Sequence, residues 1–567
     1  MPLAAQDPRF SVQDIPFSYR ESWFGISPVI AEKTSADDLH LVSHQTGMHA
    51  VLRLGAPSGA TVTATPAMLS WEHSSGVIDL AYEDTSTIRI RSTGAALRIA
   101  AATTSLTPFG GSYLYRDPVD GSHVFTSYET GRRYRVTVIT GTLTAAGVER
   151  LGDFPRHLDL AAGEPWEVAV EEYETAREPY RARAAFDQVA STARTAFEEF
   201  ADAVAPWRGP ETPAAELAAY VIWSATVAPG GFLARPAVLM SKHWMDKVWS
   251  WDHCFNALAL AEGDPELAWH QFQLPFDHQD PTGALPDSVT HSEVLYNFVK
   301  PPIHGWALSR LRQLLPVTPE ALADTYERLA HWTEFWLNRR RVPGHDLPHY
   351  QHGNDSGWDN ATTFDSHRTL ETADLAGFLI LQLRELAAVA TELGRAGEAN
   401  RWTAIAEEVR SALLRELWRD GQFVSRNPAT GQESSSRSLL DLMAITLGDD
   451  LPPEVRDALA ARLSAHLTPH GLATEPVDSP DYSADGYWRG PIWAPSTVLI
   501  EDGLRRGGHP DLADEISRRF RALCEKSGFA ENFDAETGAG LRDRAYTWTA
   551  AAYLILARAH KARTSSA

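Results

Sequence analysis

Along the first 180 residues, apolar and polar positions alternate in short runs. Thr87-Ile88-Arg89-Ile90-Arg91, Tyr134-Arg135-Val136-Thr137-Val138 and Trp166-Glu167-Val168-Ala169-Val170 have the period of two expected of half-buried strands. Turn-forming groups such as Pro57-Ser58-Gly59 and Ser92-Thr93-Gly94 separate such runs. Many short strands punctuated in this way predict an antiparallel β-sandwich over 1–178. The pattern changes near 175. Residues 179–210 carry helical periodicity until Trp207-Arg208-Gly209-Pro210 breaks it, and read as a linker helix. From 211 to 567 the spacing is that of amphipathic helices. Thr212-Pro213 and Thr318-Pro319 each set a capping hydroxyl before a proline suited to the first helical turn. Leu322, Tyr326, Leu329 and Trp336 then keep one apolar stripe. Further helices are predicted near 253–264, 266–278, 302–315, 370–393, 397–417, 435–446, 453–466, 490–506, 511–525 and 545–561. This number of helices over 211–567 allows a closed, double-layered helical barrel. The expected fold is therefore a two-domain α+β chain, a β-sandwich followed by a helical domain.

Composition narrows the function. The 567 residues are 44% apolar and 22% charged, as in ordinary globular proteins. Lys plus Arg number 51 against 74 Asp plus Glu, a net charge of −23. This argues against a nucleic-acid surface and against binding to anionic lipid. No apolar run approaches the roughly 20 residues that cross a bilayer, and the start, MPLAAQDPRFSVQD, lacks a secretory pattern. A cytoplasmic protein is predicted. Its two cysteines, Cys254 and Cys524, cannot build a disulfide framework or a four-cysteine zinc site, and they fit a reducing compartment. No HExxH, phosphate-binding loop or dinucleotide fingerprint occurs, and no cofactor is expected. His345, His349 and His352 have ligand-like spacing, but Pro343, Gly344, Pro348 and Gly353 break the helix such a site would need.

Thirteen of the 18 tryptophans lie between Trp244 and Trp548. Core filling accounts for many of them. Several, however, stand beside carboxylates at the mouths of predicted helices, which is what a sugar site requires. The C–H face of a pyranose packs on an aromatic ring, and its hydroxyls need carboxylates, amides and Arg. Four segments have this character: Trp249-Ser250-Trp251-Asp252-His253-Cys254-Phe255, His352 to Asn360, Gly486-Tyr487-Trp488-Arg489-Gly490-Pro491-Ile492-Trp493, and Glu531-Asn532-Phe533-Asp534 followed by Tyr546-Thr547-Trp548. Pro491 is predicted to open a helix. Taken singly, an Asp before a helix is ordinarily an N-cap. Inverting glycosyl transfer needs a protonated and an ionised carboxyl group on opposite sides of the sugar, roughly 6.5–9.5 Å apart. Trp358 beside Asp359 supplies the apolar surroundings that keep an acid protonated.

These segments resemble those of glycoside hydrolase family 63, an (α/α)6-barrel family with the trehalases as cousins. The resemblance covers about 240–560. It implies an (α/α)6 barrel, an inverting α-glucosidase, Asp359 in the Ser356-Gly357-Trp358-Asp359-Asn360 loop as general acid, and Glu531 as general base. It further implies Trp249, Trp251, Asp252, Phe255, Trp488, Arg489 and Trp493 as sugar contacts. Lys300-Pro301-Pro302-Ile303-His304-Gly305-Trp306 and Gly283-Ala284-Leu285-Pro286-Asp287 look like further pocket loops, adding His304 and Trp306. Asp355, Gly357, Trp358 and Trp548 complete the expected pocket, and Asp355 is the rival to Asp359 as acid. The expected partner is a small carbohydrate with a terminal α-linked glucose. An α-mannoside or trehalose remains open, as do a glycoside phosphorylase and a non-catalytic sugar-binding protein.

Overall fold

The computed structural model describes residues 8–565. The chain forms two compact units that interleave in sequence. One comprises the chain up to Pro206 together with Ala219–Lys247 and Thr290–Ser292, and the other comprises Trp207–Ala218, Val248–Val289 and Glu293 onward.

The first unit is built on two antiparallel sheets. One has seven strands, in the spatial order Phe17–Ser18, Phe24–Ala31, Thr34–Ser43, His49–Gly55, Leu97–Ala101, His157–Leu160 and Leu143–Ala146. The other has eight, in the order Ser112–Arg116, His123–Ser127, Arg133–Thr140, Trp166–Tyr173, Thr87–Ser92, Gly76–Asp84, Leu69–His73 and Thr61–Ala64. The three runs with period two lie side by side in the eight-stranded sheet, Val136 opposite Val170 and Val168 opposite Ile90. Their polar positions are less exposed than alternation suggests. Arg89 is buried and donates to Tyr180 and Glu167. The cause lies in the following segment. Helix α1 (Phe186–Val204) packs Phe186 and Val189 on Ala81 of that sheet, with the Arg91 guanidinium 4.2 Å from the Phe186 ring. Residues read as a linker helix thus supply part of this unit's core. Helix α2 (Ala215–Ala225) starts later than Thr212-Pro213 suggests, because the Thr212 hydroxyl is engaged with Gly209 rather than capping.

The second unit is helical. Its helices are α3 (His253–Leu260), α4 (Pro265–Gln273), α5 (His304–Leu314), α6 (Pro319–Arg339), α7 (Ala373–Glu392), α8 (Ala396–Leu417), α9 (Pro453–Leu463), α10 (Ala494–Arg506), α11 (Pro510–Ser527) and α12 (Thr547–Ser565). A 3-10 helix, Leu439–Asp450, lies between α8 and α9. Contacts run α3 to α5, α5 to α7, α7 to the 3-10 helix, on to α10, to α12 and back to α3. Six segments therefore close an inner ring, and α4, α6, α8, α9 and α11 pack outside it. This is the (α/α)6 barrel, whose closure no single periodic stripe could reveal.

Local chemistry explains two helix starts directly. Thr318 accepts from Ala321 N and caps α6, and Asp264 caps α4 ahead of Pro265. The stretch predicted as a helix over 435–446 is instead the 3-10 helix. A Cβ on Gly503 would stand 2.4 Å from the Ile445 carbonyl oxygen, so this narrower segment sits where a glycine admits its backbone. Pro491 does not open α10, which begins at Ala494 with Pro495 in its first turn, because Ile492 pairs with Phe533 in a bridge. No helix among the described residues is long and apolar enough to cross a membrane.

Candidate active site

The loops that precede α3, α5, α7, α10 and α12 carry the sequence-predicted residues. Asp252 directly precedes α3 but makes no capping hydrogen bond with its side chain. It is buried, and its Oδ2 has no hydrogen-bond partner among the described residues. Burial pushes its carboxyl up to about 8, against the pull of Lys300 and with help from Asp287 and Asp359. The ordinary capping explanation for this aspartate therefore fails.

Asp359 follows the short 3-10 turn Gly353–Ser356. Gly357 makes that turn possible. Its φ is +75°, and an added Cβ would lie 2.3 Å from Cζ2 of Trp251, so the indole of one loop lies directly on the backbone of the other. Asn360 then joins this loop to the tryptophan-rich segment, donating to the Gly486 carbonyl at 3.0 Å and accepting from Trp488 N at 3.0 Å. Arg489 donates to the Asn360 carbonyl at 2.8 Å and to Asp365, so two of its nitrogens clamp the loop. Burial raises the Asp359 carboxyl above its usual range. Lys300 opposes the shift, and Asp287 adds to it. Lys300, itself buried, ion-pairs with Asp287 at 3.0 Å and donates to the Asn354 carbonyl at 2.9 Å. Burial would lower its pKa, but Asp359, Asp287 and Asp252 together hold it above the normal value. Lys300 is thus the cation among three carboxyl groups.

Glu531 sits in different surroundings. Its backbone N–H donates to the Asp543 carbonyl at 2.7 Å, and the next two residues pair with Gly540–Leu541. Its side chain is buried, and among the described residues neither carboxyl oxygen has a hydrogen-bond partner of normal geometry. Burial, reinforced by Asp543 and opposed by Arg542 and the Tyr487 hydroxyl, pushes it up to about 7. Two phenols relate it to the other carboxyl groups. Burial and then Glu531 and Asp359 raise Tyr487, while burial, Glu531, Tyr487 and Asp252 raise Tyr546. Tyr487 is held at φ +65°, a conformation costing a non-glycine residue about 1–3 kcal/mol, with the Arg542 guanidinium 4.9 Å from its ring.

Aromatic rings form a continuous chain beneath these groups. Trp358 meets Trp488 at 4.5 Å, Trp488 stacks on Trp493 at 4.0 Å, Trp493 reaches Trp548 at 6.2 Å, and Trp548 meets Trp251 edge-on at 4.9 Å. The Trp548 indole N–H is buried without a hydrogen-bond partner among the described residues. Trp249 is half-buried on a short strand opposite Ser288.

Other expected residues are engaged elsewhere. Asp355 accepts from Val299 N, Arg340 and Gln351 N, so both oxygens tie loops together and it is no rival acid. His304 is bound to the Ser250 carbonyl and packed on Phe272 and Phe276. Trp306 donates to Asp502, and Phe255 fills the space between Trp306 and Trp548. Asp534 caps its own turn through Glu536 N and Thr537 N, and Arg542 holds the Asn532 side chain instead. Of the three spaced histidines, His345 pairs with Glu371 and His352 accepts from Asn354 N, and no group of three or more His, Cys, Asp or Glu among the described residues is placed to hold a metal ion. Cys254 is buried, and burial raises its thiol pKa, consistent with packing. Lys300, Tyr487 and Tyr546 were not singled out from the sequence. A lysine inside the apolar run Val299 to Ile303 was the available signal for the first.

A family model described as the mannosylglycerate hydrolase MGH1-like glycoside hydrolase domain matches residues 245–549. The chain belongs to this family. It is a glycoside hydrolase of the family 63 type, related to the trehalases. A mannosylglycerate hydrolase of Rubrobacter radiotolerans is 26% identical over 57% of this chain and 92% of its own length. The solved GH63 mannosylglycerate hydrolase from Thermus thermophilus in complex with glucose, 21% identical, covers 61% of this chain and 100% of its own at a TM-score of 0.54. A bacterial glucoamylase complexed with acarbose is only 9% identical, yet it covers 99% of this chain and 96% of its own at a TM-score of 0.65. These two structural likenesses are of fold, and the second extends across both units of this glycoside hydrolase.

Proposed function

We propose that this glycoside hydrolase removes a terminal α-linked glucosyl residue from a small glucoside or short oligosaccharide, with inversion, using Asp359 as general acid and Glu531 as general base. One observation carries the reading. Among the described residues, Asp252 Oδ2, Asn532 Nδ2 and Trp548 Nε1 are buried without hydrogen-bond partners, and both Glu531 oxygens lack one of normal geometry. Buried polar atoms are ordinarily satisfied, and a pyranose offers hydroxyls that satisfy such a set while its C–H face lies on the indoles.

In this reading Asp359, kept protonated by burial, donates to the glycosidic oxygen as the bond to the anomeric carbon breaks. Glu531, ionised, takes a proton from the water that attacks the opposite face. Burial, reinforced by Asp543, leaves Glu531 basic enough, at about 7, to do this near neutral pH. Asp252 and Trp251 hold the glycone, Trp488 and Trp493 form the wall beneath it, and Arg489 fixes the acid loop. The buried thiols of Cys254 and Cys524 accord with a cytoplasmic enzyme.

A second reading, an α-mannoside as substrate, is favoured by the mannosylglycerate hydrolases among the relatives. Glucose and mannose differ only in the configuration at C2. A panel of trehalose, kojibiose, nigerose, maltose, isomaltose, sucrose, glucosylglycerate and mannosylglycerate, assayed with and without phosphate, separates the two. Release of glucose independent of phosphate is expected. Release of mannose alone selects the second reading, and strict dependence on phosphate would replace hydrolysis with phosphorolysis.

A further inference from the structure

The helical unit contains a cavity of about 200 Å3 lined by Arg437, Ser438, Leu442, Arg462, His466 and Pro476 among others. None of its lining residues is a carboxylate. Among the described residues each guanidinium makes one hydrogen bond to protein, Arg437 Nη2 to Asp478 at 2.7 Å and Arg462 Nη1 to Gln422 at 2.7 Å. The Asp478 side chain is 79% exposed, so its pairing with Arg437 is weak and readily exchanged. The two buried acids nearby are engaged elsewhere. Asp441 accepts from Thr363 and Ser436, and Glu475 accepts from Thr362 and Ser479.

His466 adds a specific requirement. Its Nδ1 lies 2.9 Å from the Ala473 carbonyl oxygen. A carbonyl only accepts, so Nδ1 carries the hydrogen and Nε2 of the neutral ring is an acceptor. Burial holds this imidazole neutral, down to about 4, and Arg437 and Arg462 reinforce it against the hydrogen bond to Ala473. The Ser438 oxygen accepts from Leu440 N, which leaves its own O–H to donate. Two fixed cations, one hydroxyl donor and one acceptor call for an oxyanion that itself carries an acidic O–H. The cavity has room for it, since a water molecule takes roughly 30 Å3 of liquid volume.

We propose that this cavity binds inorganic phosphate, with its oxygens on Arg437, Arg462 and Ser438 and its O–H donated to Nε2 of His466. The site is separate from the carboxylate pair, although the Asp441 and Glu475 segments that border it also hold Thr362 and Thr363, just beyond Asp359. The proposal does not depend on the roles given to Asp359 and Glu531.

Isothermal titration of the full chain with phosphate at pH 7.5 and low ionic strength tests it. One saturable site per chain is expected, weakened at least tenfold in Arg462→Gln and in Arg437→Gln, with turnover in phosphate-free buffer unchanged in both. Arg437 is 44% exposed, so that variant is expected to fold even if the other does not. Sulfate, which has no O–H at this pH, is expected to bind more weakly. Absence of saturable binding, or undiminished binding in the variants, overturns the proposal. Sulfate binding as tightly as phosphate removes His466 from the site.

Discussion

Asp359 and Glu531 are both carboxyl groups pushed upward by burial, yet their neighbours differ. Asp359 lies half-buried on a loop beside a buried lysine and two further aspartates. Glu531 lies deep, with a carboxylate neighbour, two phenols and, among the described residues, no ion pair. A group with a strong cation beside it can be tuned by that cation. Desolvation leads in both, and what opposes it differs, the buried Lys300 at Asp359 and Arg542 with the Tyr487 hydroxyl at Glu531. Two acids of similar intrinsic strength are thereby given separate controls, which is the arrangement that acid–base division of labour needs.

The strongest test of this contrast is a pair of substitutions assayed on two leaving groups. Asp359→Asn and Glu531→Gln each lower kcat on an ordinary glycoside by about 10²–10⁴-fold, the usual range for losing a general acid or base. On an α-glycosyl fluoride, which needs no proton to depart, Asp359→Asn recovers most of its activity and Glu531→Gln does not. Recovery of both, or of neither, would remove the distinction between the two groups.

Stability gives the next largest effect. Glu531 has a pKa of 4.5 in the unfolded chain and about 7 when folded. The folded state therefore holds its proton more tightly, and stability is lost as pH rises through this window. The penalty is absent below 4.5 and complete above about 7, amounting to about 3 kcal/mol. Glu531→Gln should raise Tm at pH 8 and leave it unchanged at pH 4. An equal Tm at pH 8 would show that the group is not strained by burial.

The packing of Gly357 against Trp251 can be broken directly. Gly357→Ala places a methyl group where the indole lies and forces a positive φ on an L-residue, so a loss of about 1–3 kcal/mol is expected together with reduced turnover. Denaturant titration checks the first, and steady-state kinetics the second. The smallest effect is electrostatic. Lys300→Met removes the cation that lowers the Asp359 pKa, so the limb of the kcat/KM profile set by Asp359 moves to higher pH. The limb set by Glu531 stays near pH 7. Movement of both limbs together would merge what the two surroundings keep apart.

Much of this was legible in the sequence because helix stripes and caps are local. The stripe through Leu322, Tyr326, Leu329 and Trp336 is a buried face of α6, and the Thr318 cap holds. The 3-10 segment was not legible, since its form depends on glycines from neighbouring helices. Asp359 and Glu531 stood in ordered motifs, and the folded chain places one phenol, Tyr487, that feels both. His304, Trp306 and Phe255, expected in the pocket, are engaged in packing and hydrogen bonds at the starts of their helices for a helical reason. Beyond the first residue of a helix, each side chain turns about 100° from the last, so a motif that spans a helix start mixes pocket-facing with core-facing positions. Tyr487 escaped notice because its importance comes from a positive φ that composition does not reveal.

The central claim is that Asp359 and Glu531 act on opposite faces of a sugar through a single displacement by water. A proton NMR time course of a cleaved α-glycoside reads this from the first anomer released, before mutarotation. The account predicts that the β-anomer appears first. Initial release of the α-anomer would contradict it, because Glu531 could not then be the base that activates the attacking water.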